Sequence, residues 1–167
     1  AVIFSFVVLL SNTATASDLE RTDFEKQFIG KIWRSEPLRV YPLTSECKLR
    51  GGKVLQQGHE LMLDNFICTN NRELSVISER IGLNSLGIVL DAFLFPELKE
   101  GEQLMSAGDC SVGGETLLDF TALVRMGDRE SVDWQTGVLA AWVPNVQTRK
   151  YEPLSTRTIV CDVPTPP

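Results

Sequence analysis

The chain has a single histidine, His59, in 167 residues. One imidazole with no nucleophile or acid pattern around it builds neither a Ser-His-Asp system nor a Cys-His pair. G-x-S-x-G, H-E-x-x-H, the phosphate-cradling P-loop and G-x-G-x-x-G are all missing. No C-x-x-C occurs, which removes zinc ribbons and thioredoxin-type redox centres. We therefore assign no catalytic residue, no metal and no cofactor, and read Gln57-Gly58-His59 as an exposed turn. Clustered bases are also lacking. Residues 91 to 133 hold ten acids against Lys99, Arg125 and Arg129, within a formal charge of -6. Phosphate binding needs grouped Lys and Arg, so nucleic acid and anionic membrane are excluded as partners. The acidic loops around Asp128, Glu130 and Asp133, and around Asp109 and Glu115, lack the spacing of a twelve-residue calcium loop and read as solvated turns.

Long hydrophobic runs are few as well. Leu86 to Phe95 is broken by Asp91 and closed by Pro96, so the mature chain has no integral membrane segment. The one uncharged apolar run is Ala1 to Leu10, followed by a small polar stretch ending in Ala14-Thr15-Ala16. That is the h-region and cleavage site of a secretory signal peptide, here without its initiator Met and basic start. Ten apolar residues fall short of the roughly 20 needed to cross a bilayer. We expect residues 1–16 to be removed, 17–163 to form one domain and 164–167 to be a Pro-rich tail. The mature protein is expected to be exported, periplasmic or extracellular, without a lipid-attachment Cys after the cleavage site.

What is present fits that destination. Four cysteines, Cys47, Cys68, Cys110 and Cys161, all lie in the mature part, and an even count in an exported chain reads as two disulfides. Three connectivities exist. Cys47–Cys68 and Cys110–Cys161 are the pairs expected, the first because turns at Gly51-Gly52 and Gln57-Gly58 can bring adjacent strands within bridging distance. A composition of 43% hydrophobic and 23% charged residues excludes disorder and supports a proper core.

Periodicity then gives the architecture. Ser17 and Thr22 each precede a Glu by three residues, the capping-box spacing, and Phe24, Phe28 and Ile32 recur at i, i+4, i+8. One short helix near 19–30 follows, ending near Gly30. Beyond it the period is two. Leu118, Phe120, Ala122, Val124 and Met126 should face a core, with Leu117, Asp119, Thr121, Leu123 and Arg125 on the other side. Gly127 to Glu130 predicts a turn, and Ser131 to Gln135 a returning partner strand. Further strands are read at Val138–Val143, Thr156–Cys161, Leu61–Cys68 and parts of 38–56. Glu73–Arg80 and Leu86–Phe95 form a hairpin around Gly82-Leu83-Asn84-Ser85. Turn residues every 8–12 positions mark a mainly β fold, a single antiparallel β-sandwich or β-barrel with one N-terminal helix. Leu55 to Met62 and Leu98 to Met105 share L-x-x-G-x-x-L-M, a polar turn feeding a strand and a candidate mark of internal duplication.

Function is less constrained. Trp134 and Trp142 bracket a turn and strand, and Trp134 with Asp133 suits a contact surface in which an aromatic anchor meets a polar rim. The main expectation is a non-catalytic binding or structural module of the envelope or extracellular space, with a protein or glycan partner. Two alternatives stand beside it. With 22 acids, a carboxylate pair at hydrolase spacing is always available. The third reading comes from Phe28-Ile29-Gly30-Lys31-Ile32-Trp33, which resembles the opening of lipocalins, where G-x-W begins the first barrel strand; here the spacing is G-x-x-W. The resemblance implies a carrier of small apolar ligands with Trp33 closing one end of its barrel. Lining of a void by Leu118, Phe120 and Val124 would distinguish it.

Overall fold

A computed structural model of the chain describes residues 19–34, 46–55, 60–81, 86–114, 119–125, 127 and 129–162. Residues 1–16, His59 with its turn, Gly82 to Ser85, Glu115, Leu117, Leu118, Met126, Asp128 and the Pro-rich tail lie outside the described residues.

The fold is mainly β, as its period-two patterning predicts. The chain runs through α1 (Asp23–Lys26), β1 (Ile32–Arg34), β2 (Cys47–Val54), β3 (Leu61–Cys68), β4 (Glu73–Ile81) and β5 (Leu86–Leu94). It continues through β6 (Glu102–Ser106), β7 (Cys110–Val112), β8 (Thr121–Arg125), β9 (Ser131–Asp133), β10 (Val138–Asn145), β11 (Lys150–Pro153) and β12 (Ile159–Asp162). The strands form three antiparallel sheets, ordered β1-β5-β4-β3-β2, β11-β10-β8-β6 and β7-β12-β9. Among the described residues all three are open, and no barrel closes. The barrel alternative falls, and with it the barrel-closing role implied for Trp33, which lies on edge strand β1 in register with Gly87.

Three apolar clusters show how the layers stack. Phe28, Phe66, Leu74, Val76, Val89 and Ala92 cover the outer face of the five-stranded sheet, where α1 docks. Leu61, Leu63, Ile77, Phe93, Phe95, Leu123, Trp142 and Tyr151 fill the space between the five- and four-stranded sheets. Phe120, Ala122, Val124, Val132, Val138 and Ile159 pack the four-stranded sheet against the three-stranded one. The four-stranded sheet is thus buried on both faces. Phe120, Ala122 and Val124 point into one core as their alternation predicts, and Leu123 from the opposite face is buried in the other.

The helix is shorter than its apolar stripe. Thr22 caps it with a complete capping box: Glu25 N–H donates to Thr22 Oγ1 and Thr22 N–H donates to Glu25 Oε2. The chain then turns through Gly30, whose φ of 81° suits glycine. Ile32 therefore falls on β1 and is exposed, while Phe24 and Phe28 keep their edge-to-face contact at 5.1 Å. The β4–β5 hairpin forms, but the expected β8–β9 hairpin does not. β9 pairs with β12, while β8 pairs with β6 and β10. Turn residues locate where a strand ends; they leave open which sheet the next strand joins.

Both expected disulfides are present, Cys47–Cys68 and Cys110–Cys161. Each joins directly paired positions, on β2–β3 and on β7–β12. Two structural disulfides and no free thiol among the described residues place the chain in an oxidising environment. Among those residues no helix is long and apolar enough to cross a membrane.

One buried ion pair fastens the start of the domain to both large sheets. Asp91 on β5 accepts from Arg21 Nε at 2.9 Å, from Arg21 Nη2 at 2.6 Å and from the Tyr151 N–H at 2.7 Å. Arg21 also donates to the Tyr151 and Leu19 carbonyls and lies over the Phe93 ring. Glu25, equally buried, accepts from the Leu94 N–H at 2.7 Å. These carboxylates are fully occupied, as buried charges must be.

Candidate functional site

The inner faces of the two large sheets are not apolar along their whole length. On β3 the inward Leu63 gives way to Asn65, and on β4 their register partners Ile77 and Ser75 change likewise, with Glu73 beyond. Opposite them, Leu123 gives way to Thr121 on β8 and Leu104 to Ser106 on β6. Where the apolar residues face one another the sheets close into a core. Where the polar ones do, a cleft remains, because polar side chains without partners resist burial.

That cleft has two adjoining hollows of about 480 Å³ and 150 Å³, which share Lys53, Asn65, Ser106 and Thr121. Its two bases are paired within the protein, while the exposed Asp109 at its rim makes no ion pair among the described residues. Arg50 meets Glu73 at 3.1 Å, and Lys53 from β2 reaches across to Asp119. At the base, Ser75 donates to Asn65 Oδ1 and hydrogen-bonds Tyr151. Burial pushes the Tyr151 hydroxyl well above its ordinary range, so it stays protonated as a donor. The opening is lined by exposed Ser106, half-buried Asn65 and Thr121, and the exposed Gly51-Gly52 backbone of edge strand β2.

The surface expected around Trp134, Asp133 and Trp142 is not assembled. Trp134 is 49% exposed, but Trp142 is only 7% exposed and packs against Phe93 and Phe95 at 5.4 and 5.6 Å. Alternation on β10 sends Trp142 into the core between the two large sheets. Asp133 is spent on its own turn: Oδ1 accepts from the N–H groups of Gln135 and Thr136, both at 3.0 Å, and from Thr136 Oγ1 at 2.8 Å. Those bonds, the Thr136 hydroxyl first, hold its carboxyl below the usual range. Among the described residues, no cluster of three or more His, Cys, Asp or Glu is placed to hold a metal ion.

Sequence reasoning did not find the cleft. Asn65, Ser75 and Thr121 are ordinary strand residues until the register sets them face to face. The available signal was the loss of apolar character at successive period-two positions on four strands. Comparison with protein-family models, with curated proteins and with solved structures yields no match.

Proposed function

We propose that this chain is an exported, non-catalytic binding module that takes a neutral, hydroxyl-rich ligand, a glycan segment, in the cleft between its five- and four-stranded sheets. The observation that carries this reading is that both bases of the cleft are already paired, so it offers no free cation to an anionic ligand. Arg50 and Lys53 are matched by Glu73 and Asp119, so the neutral groups of Asn65, Ser106 and Thr121 remain to meet a ligand. An open, pre-formed groove with hydroxyl and amide groups exchanges hydrogen bonds with sugar hydroxyls at little reorganisation cost. Export rests on the apolar start of the chain with its Ala14-Thr15-Ala16 site, together with the two disulfides.

The test is calorimetric titration of the mature domain with a panel of short neutral oligosaccharides, alongside a Ser106→Trp variant. Ser106 is exposed at the end of β6, so the indole fills the cleft without entering the core. Saturable binding that Ser106→Trp abolishes supports the proposal. No heat with any sugar, or equal binding by the variant, refutes the cleft as the site. New reducing ends during incubation would overturn the non-catalytic reading.

A further inference from the structure

The outer face of the five-stranded sheet carries a second, chemically distinct site. Asp64 on β3 is 5% exposed, and its Oδ2 has no hydrogen-bond partner. The contrast with Glu25 and Asp91, whose oxygens are all engaged, is sharp. Room for the carboxyl comes from Gly52 on the neighbouring strand, where a Cβ would collide with Asp64 Oδ1. Asp64 lines a hollow of about 220 Å³ with Leu49, Val54, Met62, Lys53 and Arg80. Leu49 and Val54 are apolar yet 36% and 47% exposed, so the wall they form is open to a ligand. Lys53 is committed to Asp119, whereas Arg80 is exposed and makes no ion pair among the described residues.

We propose that this hollow binds a zwitterionic amino acid with an apolar side chain, its ammonium on Asp64, its carboxylate on Arg80 and its side chain on Leu49, Val54 and Met62. Three features in one hollow select this class. A buried acceptor without a partner calls for a donor, best a charged one. A free guanidinium a short span away calls for a carboxylate. An exposed aliphatic wall between strands calls for an apolar body. A simple amine would leave Arg80 unmatched, and a simple acid would leave Asp64 unpartnered. The site lies on the opposite face from the proposed glycan cleft and does not depend on it.

The experiment is an amide-shift titration of the mature domain at pH 8 with L-leucine, with 3-methylbutylamine and 4-methylpentanoate as analogues lacking one charge each. Leucine should give saturable shifts centred on Gly52, Leu63 to Asn65 and Arg80. Each analogue should bind at least about tenfold more weakly, the usual cost of leaving a buried polar partner unmatched. Asp64→Asn and Arg80→Gln should each lose leucine binding while keeping the dispersed spectrum of the folded domain. Arg80 is exposed, so its variant keeps the test open if Asp64→Asn unfolds. Absence of leucine shifts up to about 10 mM, where even weak binding registers, would overturn the proposal. So would an analogue binding as tightly as leucine, or leucine binding undiminished in Arg80→Gln.

Discussion

Raising the pH should destabilise this fold through one group, Asp64. Burial pushes its carboxyl from an ordinary 3.8 up to about 7. Below the lower value the group is protonated in the folded and unfolded chains alike, and no pH dependence arises. Between the two values the unfolded chain gives up the proton while the folded chain keeps it. Unfolding then releases a proton, so stability falls as pH rises. At about 1.4 kcal/mol per pH unit over roughly three units, the loss reaches about 4 kcal/mol and levels off above about pH 7. Of that, roughly 1.5 kcal/mol is already lost by about pH 5, leaving about 2.5 kcal/mol between pH 5 and pH 8. Glu102, Asp133 and Glu152 act in the opposite sense. Bonds from Arg125, Thr136 and Thr148 respectively hold their carboxyls below the usual range, so their contribution is lost only as pH falls through those lowered values. The interval from pH 5 to pH 8 lies above the window of these three groups, whose ordinary values are 4.5, 3.8 and 4.5. Urea unfolding with the disulfides intact, at the two pH values, on the native chain and on Asp64→Asn, isolates the term because an amide keeps the shape and does not titrate. The native chain should lose its about 2.5 kcal/mol across the interval and the variant should lose none of it. Equal pH slopes in the two proteins would refute the reasoning, since the carboxyl would then be solvated or paired in the folded state.

The other predictions concern packing. Asp91→Ala leaves the Arg21 guanidinium, 9% exposed, without its counter-charge, and should cost about 3–5 kcal/mol in urea unfolding; a loss under about 1 kcal/mol would mean that the pair is not desolvated. Trp142→Ala should cost about 3–5 kcal/mol in thermal unfolding, whereas Trp134→Ala, at an exposed turn, should stay within about 0.5 kcal/mol. The reverse order would exchange their places as core and surface residues.

Several features were determined by the sequence alone. Cysteines at 47 and 68 with turns between them led to the first bridge, which joins the neighbouring strands β2 and β3, and the second, Cys110–Cys161, was expected as the tie from the last strand to the middle of the domain. The capping box at Thr22 and Glu25 is a local device, and it formed where its spacing indicated. Alternation in β8 named Phe120, Ala122 and Val124 as core residues. The cap and the alternation depend on contacts within a few residues or on the period of one strand, and the first bridge on one pair of strands consecutive in the chain.

Only the tertiary structure decided what depends on which sheet lies opposite. Alternation gives a strand two faces without saying whether one or both will be covered, so Leu123 and Trp142 became core only when the four-stranded sheet was found between two others. The same uncertainty hid the cleft and the hollow beside Asp64. Asn65 and Thr121 line a cleft because two separately formed sheets present their polar ends to each other. Asp64 is an orphan because Gly52, distant in sequence from any acid pattern, leaves space beside it on the next strand. A residue's local sequence fixes its side of the strand; its environment is set by long-range packing, and it is the environment that leaves an Asp without a partner or sets an Asn in a cleft.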